Sequence, residues 1–324
     1  DMLQKFHGRN PDLDPKIEAM IAEINDGFFF KQRKVKSTML MGFPGHGKTT
    51  AFKVAAQQIA EGLGMRFLLN PSEDEKIGPN DFLFNTVEMS GEVSLSGVIG
   101  LPQVRQAETE GSVSYTGHAP TLRLALCKEA GLSVVLFDDA LNASPSIQNI
   151  LLAFAEEGRF RGLDLGEHTY VGLTGNLGAA DGTYTSRPSA ALRTRLKVCY
   201  VEDNVDNWVA RSQINHKSVA GDGGISAFLK QNPDLFHAPN PRGDAAYPCP
   251  RSWEAVASVG ERIGATLHHI RIKHGAVSEQ VLDHQLRIMR TEVSSFVGPE
   301  AATKLCAWVR SMQNNAMPLA QAFL

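Results

Sequence analysis

The chain has 324 residues, more than one compact core usually holds, so two domains are expected. With 43% hydrophobic and 21% charged residues its composition is ordinary for a globular protein with a sizeable core. A net charge of -3 excludes a global basic field that would draw nucleic acid, and no apolar run approaches the roughly 20 residues that span a bilayer.

In chain order, Ile17, Met20, Ile21 and Ile24 recur at helical spacing and predict an amphipathic helix over 14–26. A basic stretch, Lys31–Lys36, follows. Ser37–Met41 reads as a short buried strand running into a glycine-rich loop. Residues 48–62 read as a helix with Ala51, Val54, Ala55 and Ile59 on one face, and 65–69 as a second strand. Residues 71–120, rich in Gly, Ser, Glu and turn signals, resist assignment. Thr121–Ala130 reads as helix. The apolar run Leu132–Phe137, ending in Asp138-Asp139, has the length of a central parallel strand. A helix over 146–157, a strand over 169–174 ending at Gly175-Asn176, and a shorter strand over 198–201 complete the alternation, which predicts a parallel α/β sheet.

Composition shifts near residue 220. Gly221–Gly224 reads as a loop, and 233–250, with five prolines, as a connector. Helical patterns then fill 252–270, 277–296 and 300–315. The boundary falls between residues 203 and 225, dividing the chain into a 1–210 α/β domain and a 211–324 helical domain. Cys127, Cys199, Cys249 and Cys306 lie far apart without C-x-x-C spacing and suit free thiols in a reducing cytosol. The first residues lack the apolar core of a signal peptide, so a soluble, cytoplasmic chain is expected.

The chemistry concentrates at Gly42-Phe43-Pro44-Gly45-His46-Gly47-Lys48-Thr49, which matches G-x-x-x-x-G-K-[ST]. Glycines let backbone N–H groups close around phosphate oxygens, and the following helix points its positive end at the anion. Gly42, Pro44, Gly45, His46, Gly47, Lys48, Thr49 and the adjoining Thr50 are therefore candidate ATP-binding residues, with Lys48 directed to the β- and γ-phosphates and Thr49 to Mg²⁺. His46 occupies a variable position of the motif and is not a candidate base. Asp138, an acid at the end of a central strand, sits beside the loop and can hold the Mg²⁺ shell, and Asp139 is placed to polarise the attacking water.

Asn176 ends the next apolar strand and can orient that water, though the local sequence alone favours a plain turn Asn. Arg187, Arg193 and Arg195 cluster after it, either as a solvated basic face or as a source of an arginine finger. Arg251 opens the C-terminal helical region and is a candidate to reach back to nucleotide, although an arginine near a helix start is by itself usually a surface residue. His268 and His269 are adjacent on a helix and point apart, which gives no metal site.

The order of these motifs resembles AAA+ ATPases, in particular the MoxR-like branch. The matching stretches are Gly42–Thr49, Ser96–Pro102, Leu136–Arg161, Thr174-Gly175-Asn176, Ala190–Leu196 and Tyr247–Val256, with Pro250-Arg251-Ser252-Trp253 the most specific. The resemblance implies an αβα P-loop domain with a C-terminal helical lid and the nucleotide between them. It implies that Asn176 is sensor 1, that Arg195, with Arg193 second, is the arginine finger, and that Arg251 is the sensor 2 arginine. It further implies a homo-oligomeric ring, most often a hexamer, that uses ATP turnover to remodel a protein client. The stretches 87–118 and 157–170 would face the ring pore and meet the client, and a von Willebrand factor A domain protein is the partner that the resemblance suggests.

The chain departs from the family pattern at Asp139, where a glutamate is usual, and at Asn142-Ala143-Ser144-Pro145, where Asn-Arg-Ala-Pro is usual. The shorter carboxylate implies slow hydrolysis with binding intact. An ATP-binding assembly switch is thus the first alternative. A nucleic-acid motor is the second, against which the pI near 6.4 argues.

Overall fold

The computed structural model describes residues 15–29, 37–90, 94–106, 114–178, 185, 190–201, 204–212, 225–238 and 246–314. The basic stretch Lys31–Lys36, Arg187 and the Gly221–Gly224 loop lie outside them. The chain divides into two compact units. One holds residues up to Gly42, Lys48–Ala179 and Thr183–Val201; the other holds Glu202–Leu324 together with Phe43–Gly47 and Ala180–Gly182.

In the first unit, α1 (Pro15–Phe29) precedes β1 (Thr38–Met41), and α2 (Lys48–Leu63) follows the glycine loop. Then come β2 (Arg66–Leu69), β3 (Asp81–Glu88), α3 (Leu95–Ile99), β4 (Leu101–Arg105), β5 (Tyr115–Ala119) and α4 (Leu122–Ala125). The unit closes with β6 (Leu132–Asp138), α5 (Pro145–Glu157), β7 (Arg159–Phe160), β8 (Leu163–Asp164), β9 (Thr169–Gly175), α6 (Ala190–Arg195) and β10 (Lys197–Tyr200).

Six strands form one sheet in the order β10-β1-β9-β6-β3-β2, and every neighbouring pair is parallel. Alternation divides its two faces. Val134 and Leu136 of β6 pack with Phe82, Phe84, Phe52 and Ile24 in a core that includes α1 and α2. Val135 and Phe137 pack with Leu151, Phe154 and Leu173 on the opposite face, under α5. Strands covered on both sides are what continuous apolar runs predict. In this order β9 lies between β1 and β6, so Asp138 ends a strand two places from the one that leads into the glycine loop.

The segment that resisted assignment contains β3, α3 and the antiparallel β4–β5 hairpin. The helix expected over 121–130 shrinks to α4 and a 3₁₀ turn, Leu126–Lys128. Thr121 is still extended and β6 begins at Leu132, which leaves little length for helix. The Arg123 carbonyl also accepts from Asn85 Nδ2 at 2.8 Å, a side-chain bond that competes with the helical ladder.

The second unit is helical: α7 (Val205–Ser212), α8 (Ile225–Gln231), α9 (Pro250–His274) and α10 (Glu279–Asn314). Helix α9 starts earlier than the pattern predicts. Pro250 occupies the first turn, where its missing N–H costs nothing, and Ser252 Oγ accepts from the Cys249 amide at 2.9 Å. Helix α10 is two helices joined at Gly298 (φ 79, ψ 164), with Pro299 restarting the second, at the break expected between 296 and 300. Trp253, Phe228, Trp208 and Leu305 centre the core of this unit. All four cysteines are free, and among the described residues no helix is long and apolar enough to cross a membrane.

Candidate functional site

The loop between β1 and α2 has the conformation that its glycines permit. Gly45 and Gly47 take φ of 80° and 74°, a region that costs a side-chain-bearing residue strain. Lys48, the first residue of α2, is buried at 7% exposure. Its Nζ donates to the Gly42 carbonyl at 2.9 Å and to Asn176 Oδ1 at 2.8 Å. The ammonium is thereby aimed along the start of a 16-residue helix, whose positive end favours an anion. Thr50, in the same first turn, is exposed.

Thr49 follows Lys48 and turns its hydroxyl onto Asp138, donating across both carboxylate oxygens at 2.8 and 3.0 Å. Thr174, on the intervening strand β9, donates to Asp138 Oδ1 at 2.5 Å and accepts from the Asp139 amide at 2.9 Å. A hydroxyl paired with a carboxylate offers hard oxygen donors of the kind Mg²⁺ takes. Among the described residues no cluster of His, Cys, Asp or Glu forms a self-sufficient metal cage. The residues present fit the group.

Asp139 turns the chain out of β6 with left-handed backbone (φ 53, ψ 42), uncommon outside glycine and tolerated by Asp. Its carboxylate accepts from Asn176 Nδ2 at 3.1 Å. Asn176, 8% exposed, therefore bridges the ammonium of Lys48 and the carboxylate of Asp139. This is a P-loop αβα sandwich. Lys48, Thr49, Asp138, Asp139 and Asn176 meet at one end of its sheet. Thr174, which ties the two aspartates together, falls in a stretch that carries the resemblance, but its role is not legible there because its partners lie far away along the chain.

Within the second unit, to which Phe43–Gly47 belong, Arg251 in the first turn of α9 lies beside Gly45. A Cβ added at Gly45 would fall 3.0 Å from Arg251 Cβ and 3.2 Å from Cys249 Sγ. His46 is buried, and its ring packs edge-on against His237 at 4.5 Å, with Phe43 4.3 Å from His237. Burial holds the His237 imidazole below its ordinary pKa. Neither Phe43 nor His237 carries a signal in the sequence that would mark it.

Arg193 and Arg195 lie exposed on α6, and Arg195 pairs with Glu156 of α5 at 2.9 Å. The β4–β5 hairpin exposes Leu101 (67%), Val104 (68%) and Tyr115 (57%). The β7–β8 hairpin occupies the stretch expected for a second loop.

No protein-family model matches the chain, and no curated protein matches its sequence. Solved structures to which it is similar include Hsp104 of S. cerevisiae in complex with casein, 17% identical over 66% of this chain and 40% of that one, with a TM-score of 0.39. PCH-2 of C. elegans is 14% identical over 93% of this chain and 68% of its own, with a TM-score of 0.35. RuvB of Thermotoga maritima, a Holliday junction branch migration motor, is 14% identical over 90% and 69%, with a TM-score of 0.32. The chain thus spans less than half the length of the Hsp104 chain.

Proposed function

We propose that this protein is a MoxR-like AAA+ ATPase that binds Mg-ATP, hydrolyses it within a homo-oligomeric ring and remodels a protein client. The observation that carries the reading is the buried Lys48 ammonium beside a Thr49–Asp138 pair, at the start of a helix behind a glycine loop. Lys48 would neutralise the β- and γ-phosphates, and Thr49 and Asp138 would hold Mg²⁺. The bound cation would supply charge stabilisation to the transferring phosphoryl group. Asp139 and Asn176 would orient the attacking water, and Arg251, beside Gly45, would approach the phosphates. The exposure of Arg195 and Arg193 supports a role at a neighbouring copy's site. The apolar side chains on the β4–β5 hairpin suit an unfolded or loosely folded protein segment.

On this reading residues 1–210 form the nucleotide-binding domain, 211–324 the lid, and the ring, most simply a hexamer, works in the cytoplasm with a von Willebrand factor A domain partner. Steady-state phosphate release, paired with particle-mass measurement with and without ATP, tests the core of it. Lys48→Ala should abolish nucleotide binding, and Arg195→Ala should abolish turnover while leaving binding intact. A chain that stays monomeric with every nucleotide would sink the arginine role in trans.

Asp139 favours a second reading, an ATP-binding switch with very slow hydrolysis, because its carboxylate is short and already engaged by Asn176. That reading gains if Asp139→Glu raises turnover. It fails if the wild type turns over at an ordinary rate that Asp139→Ala removes. Phosphate release that is unchanged by DNA or RNA would set aside a nucleic-acid motor.

A further inference from the structure

Glu88 ends β3 directly beside Asp138. The two are partners in the parallel ladder, and the ladder runs on one step further, with the Met89 amide donating to the Asp138 carbonyl at 2.9 Å. Residues paired this way lie on strands about 4.8 Å apart and project from the same face of the sheet. Alternation identifies that face. Phe82 and Phe84 of β3 share the α2-side core with Val134 and Leu136 of β6, while Val87, Met89 and Phe137 belong to the opposite core. Glu88 thus rises on the same face as Asp138, whose carboxylate meets Thr49 at the start of α2. Its side chain is exposed, and among the described residues no hydrogen bond or ion pair engages it. Asp139 contrasts on each count. It is one methylene shorter than Glu, its backbone is left-handed, its amide is tied to Thr174 and its carboxylate accepts from Asn176.

We infer that Glu88 is the general base for the attacking water, the role that motif order alone places on Asp139. The inference rests on the hydrolase reading above. In the step, the water oxygen bonds to Pγ as one water proton passes to the Glu88 carboxylate. The bond from Pγ to the β–γ bridging oxygen breaks, and ADP leaves with that electron pair. Glu88 then returns its proton to solvent. Asp138 remains a cation ligand and Asn176 holds Asp139 in place.

The test is Glu88→Gln in the full chain, followed by phosphate release, binding of a fluorescent ATP analogue, and Mn²⁺ binding in the presence of ADP by electron paramagnetic resonance. Turnover should fall by on the order of 10²-fold or more. Nucleotide and Mn²⁺ affinities should stay within about threefold of wild type, because a base contributes little to ground-state binding. Asp139→Glu in the Glu88→Gln background should restore part of the turnover. Unchanged turnover would overturn the inference. So would a loss of Mn²⁺ affinity in step with turnover, which would make Glu88 a cation ligand instead. Wild-type protein that binds Mn-ATP yet releases no phosphate would refute the hydrolase reading itself, and the base along with it.

Discussion

Asn176→Ala is the most informative single substitution, because one side chain serves two charged groups. The amide accepts from the buried Lys48 ammonium at 2.8 Å and donates to Asp139 at 3.1 Å. Hydrogen bonds to charged groups contribute about 1.5–3 kcal/mol each, and removing one partner of a buried charge costs its desolvation as well. Asn176 is 8% exposed, so water reaches the vacated space poorly at Lys48. Two such bonds, with water replacing part of the Asp139 bond, sum to about 3 kcal/mol. For a unit of roughly 200 residues each kcal/mol lowers Tm by about 3 °C, so the first unit should melt about 9 °C earlier.

Asn176→Asp separates the two bonds. It keeps an acceptor for Lys48 but sets a second carboxylate against Asp139, and so should retain nucleotide affinity better than turnover. Thermal unfolding followed by far-ultraviolet circular dichroism, together with titration of a fluorescent ATP analogue, reads both effects. If Asn176→Ala melts within about 2 °C of wild type, less than about 1 kcal/mol, the bridge contributes little to stability and the energetic argument is wrong.

Trp253→Ala should destabilise the second unit by at least about 4 kcal/mol, since the indole is fully buried and its N–H donates to the Leu235 carbonyl at 2.9 Å; limited proteolysis should then cut 202–324 before the first unit. Arg195→Ala breaks an ion pair whose side chains are 48% and 40% exposed, so stability should change by no more than about 1 kcal/mol. Turnover should nevertheless fall on the order of 10³-fold if the arginine serves a neighbouring copy, and equal small effects on both would refute that role. His237 gives a pH effect of known sign. Burial lowers its pKa in the folded chain, while the unfolded chain binds the proton near its ordinary pKa of about 6.5. The stability this group contributes is therefore present above that value and is lost as the pH falls through it, levelling off below the native pKa. His237→Phe should lose less Tm than wild type between about pH 7.5 and 5.5, and an equal loss would show that His237 titrates freely.

What the sequence discloses about the site is what neighbours along the chain enforce. The glycine loop is readable because a backbone that closes on phosphate needs positive φ at Gly45 and Gly47, and a lysine one residue later at the helix start. Leu132–Phe137 is readable because a strand covered on both faces has no polar face to interrupt it. Strand β3 is equally buried but hidden. Asn85 and Thr86 interrupt its apolar run and imitate a turn, whereas Asn85 is in fact fully buried and anchored on the Arg123 carbonyl. A buried Asn becomes intelligible only once its partner is known.

The same distinction decides which carboxylate is placed to do chemistry. Motif order assigns the base to the residue after Asp138 because that residue is next in sequence. The sheet supplies another neighbour. In a parallel ladder the residue beside Asp138 comes from β3, which runs through the segment that the sequence leaves unassigned. Asp139 meanwhile is drawn toward β9 by Thr174 and Asn176. The short aspartate and the ladder glutamate are then one feature. A chain that carries a carboxylate at the end of β3 can shorten the residue after Asp138 without leaving the attacking water unattended, and restoring a glutamate at 139 should matter most when Glu88 is gone.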